Sequence, residues 1–232
     1  LMRGGLLKKD TPVRISFSYL YRIKVGDKYL LVLNARGTGK YQPVGGVYKL
    51  FGDEKIELKN RYHVMDDDKI SIDESSRNDY RLRLANQYLR KFVKRFESDA
   101  TREQIYDLSR EFREELIENG LLNWNQITYR ICGRHITPLE YGKHFQIYEL
   151  LLADVVELLP TKDQEKDLNA LVRNQSDKYI FATADEIISL GINTHTGKLT
   201  ESIADHSIKI LQEKEASLIR ISETGKRYTV NL

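Results

Sequence analysis

Two long strand-like runs, Gln126 to Thr137 and His144 to Leu158, joined by a polar turn at Pro138 to Lys143, set the strongest constraint on what this chain can fold into. A third run, Arg14 to Lys24, alternates β-branched and aromatic residues. It turns at Gly26-Asp27 into the apolar Lys28 to Leu33, which predicts a hairpin. Asn34 to Lys40 is a glycine-rich loop. Tyr41 to Tyr48 then reads as a short strand broken by Gly45 and Gly46, and paired glycines in a strand signal a bulge or a close backbone approach.

Helical periodicity fills the spaces between these strands. Asn86 to Glu97 carries Tyr88, Leu89, Phe92, Val93 and Phe96 on one face and Arg90, Lys91, Lys94 and Arg95 on the other. Thr101 can cap a helix that runs to about Asn119 and stops at Gly120, Thr161 to Asn174 is helical, and Ala184 to Leu190 and Thr200 to Glu213 are two further amphipathic segments. Residues 52 to 78 are polar and are expected to be loop and β in character, with Asp66-Asp67-Asp68 a solvated turn. Asp79 to Ala85 and Tyr179 to Thr183 are short strands, and Leu218 to Leu232 is a strand pair around Glu223-Thr224-Gly225 or a tail.

Composition narrows the class. A chain of 232 residues with 41% hydrophobic and 31% charged residues can bury a full core. The net charge of +3, from 37 basic and 34 acidic residues, gives no strong nucleic-acid signal. The single Cys132 rules out an internal disulfide framework and any all-cysteine metal site, and its apolar strand context makes it a packing residue. No window approaches the roughly 18 apolar residues of a spanning helix and no signal peptide is visible, so a cytoplasmic location is expected. Residue 1 is Leu, which leaves open a membrane anchor in sequence preceding Leu1.

The chemistry concentrates on one helix. At about 100° per residue, Ile105, Leu108, Phe112 and Leu116 form an apolar stripe, and Glu111, Glu114, Glu115 and Glu118 gather on the adjoining face. Carboxylates this close repel one another, and a purely structural helix has little reason to collect them, though solubilising glutamates paired with Arg110 and Arg113 are the plain alternative. A divalent cation turns that repulsion into coordination, and Mg2+ or Mn2+ suits carboxylates that bridge metal to phosphate.

The run Arg110-Glu111-Phe112-Arg113-Glu114-Glu115-Leu116, ending near Gly120, resembles the core of the Nudix box. Pro43-Val44-Gly45-Gly46 resembles the glycine segment that Nudix proteins place on the strand entering the site. The order of hairpin, glycine strand, carboxylate helix, two long strands and the Ala184-Asp185-Glu186-Ile187 helix is similar to that fold over about residues 14 to 190. The resemblance implies an α+β Nudix fold, a mixed β-sheet sandwiched between helices, with a long insert before the Nudix helix. It also implies that Glu111, Glu114 and Glu115 are catalytic metal ligands for Mg2+ or Mn2+, that Arg110 orients a carboxylate, and that Gly45 and Gly46 admit the substrate phosphates. Arg36 and Tyr41 border the glycine segment as candidates to hold phosphate and base, as does Lys40.

Two features depart from the standard box. Arg102 stands eight positions before Arg110 where a glycine is usual, with Glu103 one position off, and about sixty residues separate Gly46 from the helix. The long insert and the Thr200 to Leu211 element are similar to one subgroup, the SMODS-associated Nudix domains that accompany cyclic-oligonucleotide synthases in bacterial anti-phage systems. Some of these carry membrane helices ahead of the domain. The expected organisation is a lead-in at 1–13, a single domain at 14–213 with an insert at about 50–98, and a strand pair or tail at 214–232.

The function expected from the resemblance is metal-dependent hydrolysis of a nucleoside-diphosphate-linked or related nucleotide, with a nucleotide as ligand and a homodimer as a candidate assembly. A sensor that binds a cyclic nucleotide without turnover is the alternative, and a nucleic-acid binder using Arg83, Arg90, Lys91, Lys94 and Arg95 comes last. His135 and His144 sit on the long strands as hydrogen-bonding or solvent-facing residues, with a general base near the site the lesser alternative, and His195 and His206 show no metal-ligand spacing.

Overall fold

The computed structural model describes residues 7–74, 76–98, 100–192, 196–199 and 201–232. In chain order its elements are β1 (Pro12–Arg22), β2 (Lys24–Val25), β3 (Lys28–Leu33), β4 (Tyr41–Gln42), β5 (Gly45–Val47), α1 (Glu54–Tyr62), β6 (Met65–Asp66), β7 (Arg81–Ala85), α2 (Asn86–Ser98), α3 (Ser109–Phe112), β8 (Gln126–Ile136), β9 (Glu140–Gly142), β10 (Ile147–Leu158), α4 (Lys162–Arg173), β11 (Tyr179–Thr183), α5 (Ala184–Ile188) and β12 (Arg227–Asn231). An eight-stranded sheet runs in the order β12-β8-β10-β1-β7-β6, with β5 on β1 and β9 on β10. A four-stranded sheet runs β11-β3-β2, with β4 on β3. The α+β expectation holds.

The chain divides into two compact units. The first comprises Leu1–Tyr19, Val47–Ile105 and Ile136–Ala153, the second Leu20–Gly46, Tyr106–His135 and Asp154–Leu232. The core of the first unit is aromatic. Phe17 meets Phe96 edge-on at 4.7 Å, Tyr80 meets Phe96 at 5.0 Å, and the Arg102 guanidinium lies 3.8 Å over the Phe96 ring. Arg102 donates to the carbonyls of Phe96 and Glu103, so the residue that replaces the box glycine is a buried core cation. Glu103 accepts from the Tyr19 hydroxyl at 3.0 Å and the Lys49 amide at 3.3 Å.

Three local expectations change. The polar stretch after residue 52 contains a helix, α1, whose buried positions Glu54, Leu58 and Tyr62 fall at i, i+4 and i+8. The pattern is hidden because one inward position is a carboxylate, satisfied by a two-pronged Arg95 pair at 2.7 and 2.6 Å and by the Thr101 amide at 3.1 Å. The helix expected from Thr101 begins only at Ser109: the Phe51 amide donates to Thr101 and the Glu103 amide donates to Lys49, so Arg102 forms an isolated antiparallel bridge with Leu50 and residues 101–108 are not helical. In the second unit the expected helix from Thr200 is a 3-10 turn at Asp205–Ile210. Before it, Ser202 accepts from the Tyr41 amide and Ala204 donates to the Tyr41 carbonyl, which holds that stretch extended. Thr200 itself lies outside the described residues, as does His195.

The second unit holds the carboxylate helix. Its entry is pinned by two phenols, for the Leu108 amide donates to Tyr129 Oη at 3.1 Å and the Leu108 carbonyl accepts from Tyr21 Oη at 2.8 Å. Phe112 then packs between Tyr21, edge-on at 5.4 Å, and Trp124, stacked at 5.8 Å. The end of the chain adds β12 to β8 in antiparallel register, Val230 opposite Ile127.

Candidate functional site

The helix that begins at Ser109 widens into a π turn over Arg113–Ile117, closed by the Glu118 amide donating to the Arg113 carbonyl five residues back. Single π turns inside helices recur at functional sites, because the wider turn re-aims the side chains on one face. Glu118 forms a surface pair with Arg113 at 3.2 Å, which leaves Glu111, Glu114 and Glu115 as the candidate carboxylates. The helix stops as expected at Gly120, whose φ of 71° belongs to the left-handed region.

The two glycines of β5 are needed for different reasons. Gly45 has φ 147°, a conformation that side chains disfavour, and its amide donates to Glu115 Oε2 at 2.9 Å. Gly46 matters by contact: a Cβ there would stand 1.9 Å from Glu111 Oε1, and that carboxylate would have to move aside. The missing side chain is therefore the space into which the Glu111 carboxylate fits. Arg110 donates to Glu111 Oε1 and lies 3.5 Å from Glu114 Oε2, so one guanidinium serves two carboxylates.

Burial raises the Glu115 carboxyl to a pKa of about 8, helped by the neighbouring charges of Glu111 and Glu114 and opposed by the Gly45 amide and Arg110. Without a cation the stability contribution of this group is fully present below about pH 4.5 and is lost as pH rises through about 8. Allowing for its part exposure, the penalty is on the order of 2 kcal/mol. Glu115→Gln is therefore expected to melt higher than the parent at about pH 9 in chelator, by roughly 4–8 °C, and to match it at about pH 5. A difference in melting temperature that does not vary with pH would refute the assignment.

Among the described residues no three carboxylate, histidine or cysteine side chains already converge as a metal cage, because Glu111 and Glu114 share Arg110. The donor set nevertheless fits a divalent cation. It offers hard oxygens, a Glu115 carboxyl whose charge the Gly45 amide and Arg110 offset only in part, and a glycine cradle that leaves Glu111 free of backbone crowding.

The other sequence candidates have partners of their own. Arg36 is exposed on the loop between β3 and β4, its amide turned onto Asn34 Oδ1 at 2.8 Å. Tyr41 is buried and donates its hydroxyl to the Asp177 carbonyl at 2.9 Å. It lines an open cleft of about 930 Å³ with Tyr179, Phe181, Glu201 and Ile203, a concavity that no sequence pattern announces. His135 holds the Ala216 carbonyl at 2.9 Å, and burial lowers its pKa. His144 is exposed in the first unit against Phe145, and His206 pairs with Asp205 at 3.7 Å.

A carboxylate helix closed against a glycine pair, on an α+β framework, is the make-up of a Nudix domain. The family described as SMODS-associated NUDIX domain matches residues 12–211, and the chain belongs to it. No curated protein and no solved structure matches the chain. Membership makes it a Nudix-type hydrolase or a close relative of one, in a family that generally uses divalent metals. No helix among the described residues is long and apolar enough to cross a membrane.

Proposed function

We propose that the chain is a metal-dependent hydrolase of a nucleoside-diphosphate-linked or related nucleotide, working within bacterial nucleotide-signalling anti-phage defence. The observation that carries this reading is the closure of the glycine pair on the carboxylate helix, with the Gly45 amide on Glu115 and the Glu111 carboxylate in the space a Gly46 side chain would fill. In this reading Glu111, Glu114 and Glu115 hold Mg2+ or Mn2+, which supplies charge neutralisation on the phosphate oxygens. Gly45 keeps Glu115 oriented through its amide. Arg110 holds Glu111 and Glu114 in place and limits their mutual repulsion.

Gly46→Ala tests the cradle directly. The new methyl must push the Glu111 side chain aside, and a displacement of about 1 Å in a catalytic group costs on the order of a hundredfold in rate. Turnover is expected to fall by roughly 10–100-fold while the melting temperature changes little. Unaltered turnover would mean that Glu111 does not serve the reaction from this position.

A second reading, a sensor that binds a cyclic nucleotide without hydrolysing it, is favoured by the Arg110 bridge, which engages two of the three carboxylates. The experiment that separates the two is incubation of the purified chain with linear and cyclic nucleotides, with and without Mg2+ or Mn2+, following binding and product together. Metal-dependent product establishes the hydrolase. Tight binding of a cyclic nucleotide with no product under any metal condition establishes the sensor and ends the hydrolase reading.

A further inference from the structure

The first unit sorts its basic residues into two sets. Arg95 is spent on buried Glu54 at 2.6 Å and Arg83 on Asp68 at 2.7 Å. By contrast Arg90, Lys91 and Lys94, on the outward face of α2, are exposed and have no ion-pair partner among the described residues. At about 100° per residue they share one face with Gln87 and Ser98, opposite Phe92 and Phe96, which are buried.

Two more cations join them. The Gln87 amide donates to the Lys9 carbonyl at 2.9 Å, the Asn86 amide donates to Thr11 at 2.9 Å, and Asn86 Nδ2 reaches the Leu7 carbonyl at 3.2 Å. Segment 7–11 is thereby fastened to the first turn of α2, and it brings exposed Lys8 and Lys9 to that end. Against these cations the two segments contain only Asp10 and Glu97 as acids. Like charges on successive turns repel, and no ion pair among the described residues uses them.

We propose that this face of α2, with Lys8 and Lys9, is a docking surface for an anionic lipid bilayer. Charge complementarity selects a polyanion, and the form of the face disfavours single-stranded nucleic acid. Single strands need a ring standing open for bases to stack on. The aromatic residue of this helix nearest its outer face, Tyr88, is instead part-buried against Tyr62 and against His63, the latter at 5.4 Å. Every apolar ring that α2 buries faces inward, so attachment is coulombic and reversible, strong on anionic lipid and screened by salt. Each cation near an anionic leaflet multiplies affinity by about fivefold, and three together by about a hundredfold.

The test is co-sedimentation of the purified chain with vesicles of phosphatidylcholine alone and of phosphatidylcholine with phosphatidylserine, at low and high salt. The chain is expected to bind only the anionic vesicles and to be released by salt. R90Q/K91Q/K94Q should weaken binding at least tenfold. K162Q/K166Q/R173Q, which removes as many exposed cations from α4, should leave it unchanged. Equal binding to neutral vesicles, no loss in the α2 variant, or equal loss in the α4 variant would overturn the proposal. So would a duplex or single-stranded oligonucleotide that binds more tightly than the vesicles and is lost in the α2 variant, since that result would assign the face to nucleic acid.

Discussion

Replacing Glu114 and Glu115 together by glutamine is expected to abolish metal-dependent turnover, a loss of about a thousandfold or more, while leaving the protein folded and, in chelator above about pH 8, more stable than the parent. The two halves of this result come from one cause. Glu115 is held beside Glu111 and Glu114 with only the Gly45 amide and Arg110 to offset its charge, so the ionised group is a cost to the metal-free fold. Glutamine keeps the acceptor oxygen for Gly45 and removes the charge. Steady-state rates with Mg2+ and Mn2+, alongside melting curves in chelator, read both effects. Unchanged turnover would remove these residues from the reaction. Lost turnover with a fall in stability would mean that the carboxylates serve the fold.

Much of this site was legible in the sequence because its determinants are local. Arg110 to Leu116 is contiguous, and helical spacing alone brings Glu111 and Glu115 to one side. Gly45 and Gly46 announced a special backbone, although only the structure separates their reasons, φ at one and contact with Glu111 at the other. The π turn was not legible. No residue of Arg113 to Ile117 marks it, and within it Arg113 pairs with Glu118, five positions on, at the surface.

The fold shows the same division. Strands such as β8 and β10 and helices such as α2 and α4 carry their own apolar period, and their observed bounds lie within a few residues of expectation. What escaped was decided by distant partners. Glu54 becomes an inward residue only because Arg95 lies within reach, residues 101–103 are held extended by the backbone of residues 49–51, and Ser202 and Ala204 by that of Tyr41. A period-based reading cannot see a charge that is buried because it is paired, nor a strand whose partner lies far along the chain.

Arg22 is the sharpest case of such a long-range determinant, and its removal is expected to give the largest loss of stability. The side chain is wholly buried, and it donates to the Ile210 carbonyl at 2.6 Å, to the Leu211 carbonyl, to Glu213 at 3.0 Å and to Cys132 Sγ at 3.5 Å, with Glu157 at 3.7 Å. Arg22→Met would strand two backbone acceptors and leave Glu157 and Glu213 without this shared counter-charge. Breaking a buried charged network in this way costs about 3–5 kcal/mol, or roughly 10 °C in a protein of this size. Glu213→Gln should cost less than about 1 kcal/mol, because that carboxylate is well exposed. Cys132 supplies an independent readout. It is buried, and burial pushes its thiol up to about 11, so in the intact protein it should react slowly with a thiol reagent at neutral pH. If Arg22 fastens residues 210–213, Arg22→Met should speed that reaction well before global unfolding, whereas Glu213→Gln should not. Equal thiol reactivity in all three proteins would show that the segment is held by its apolar contacts alone.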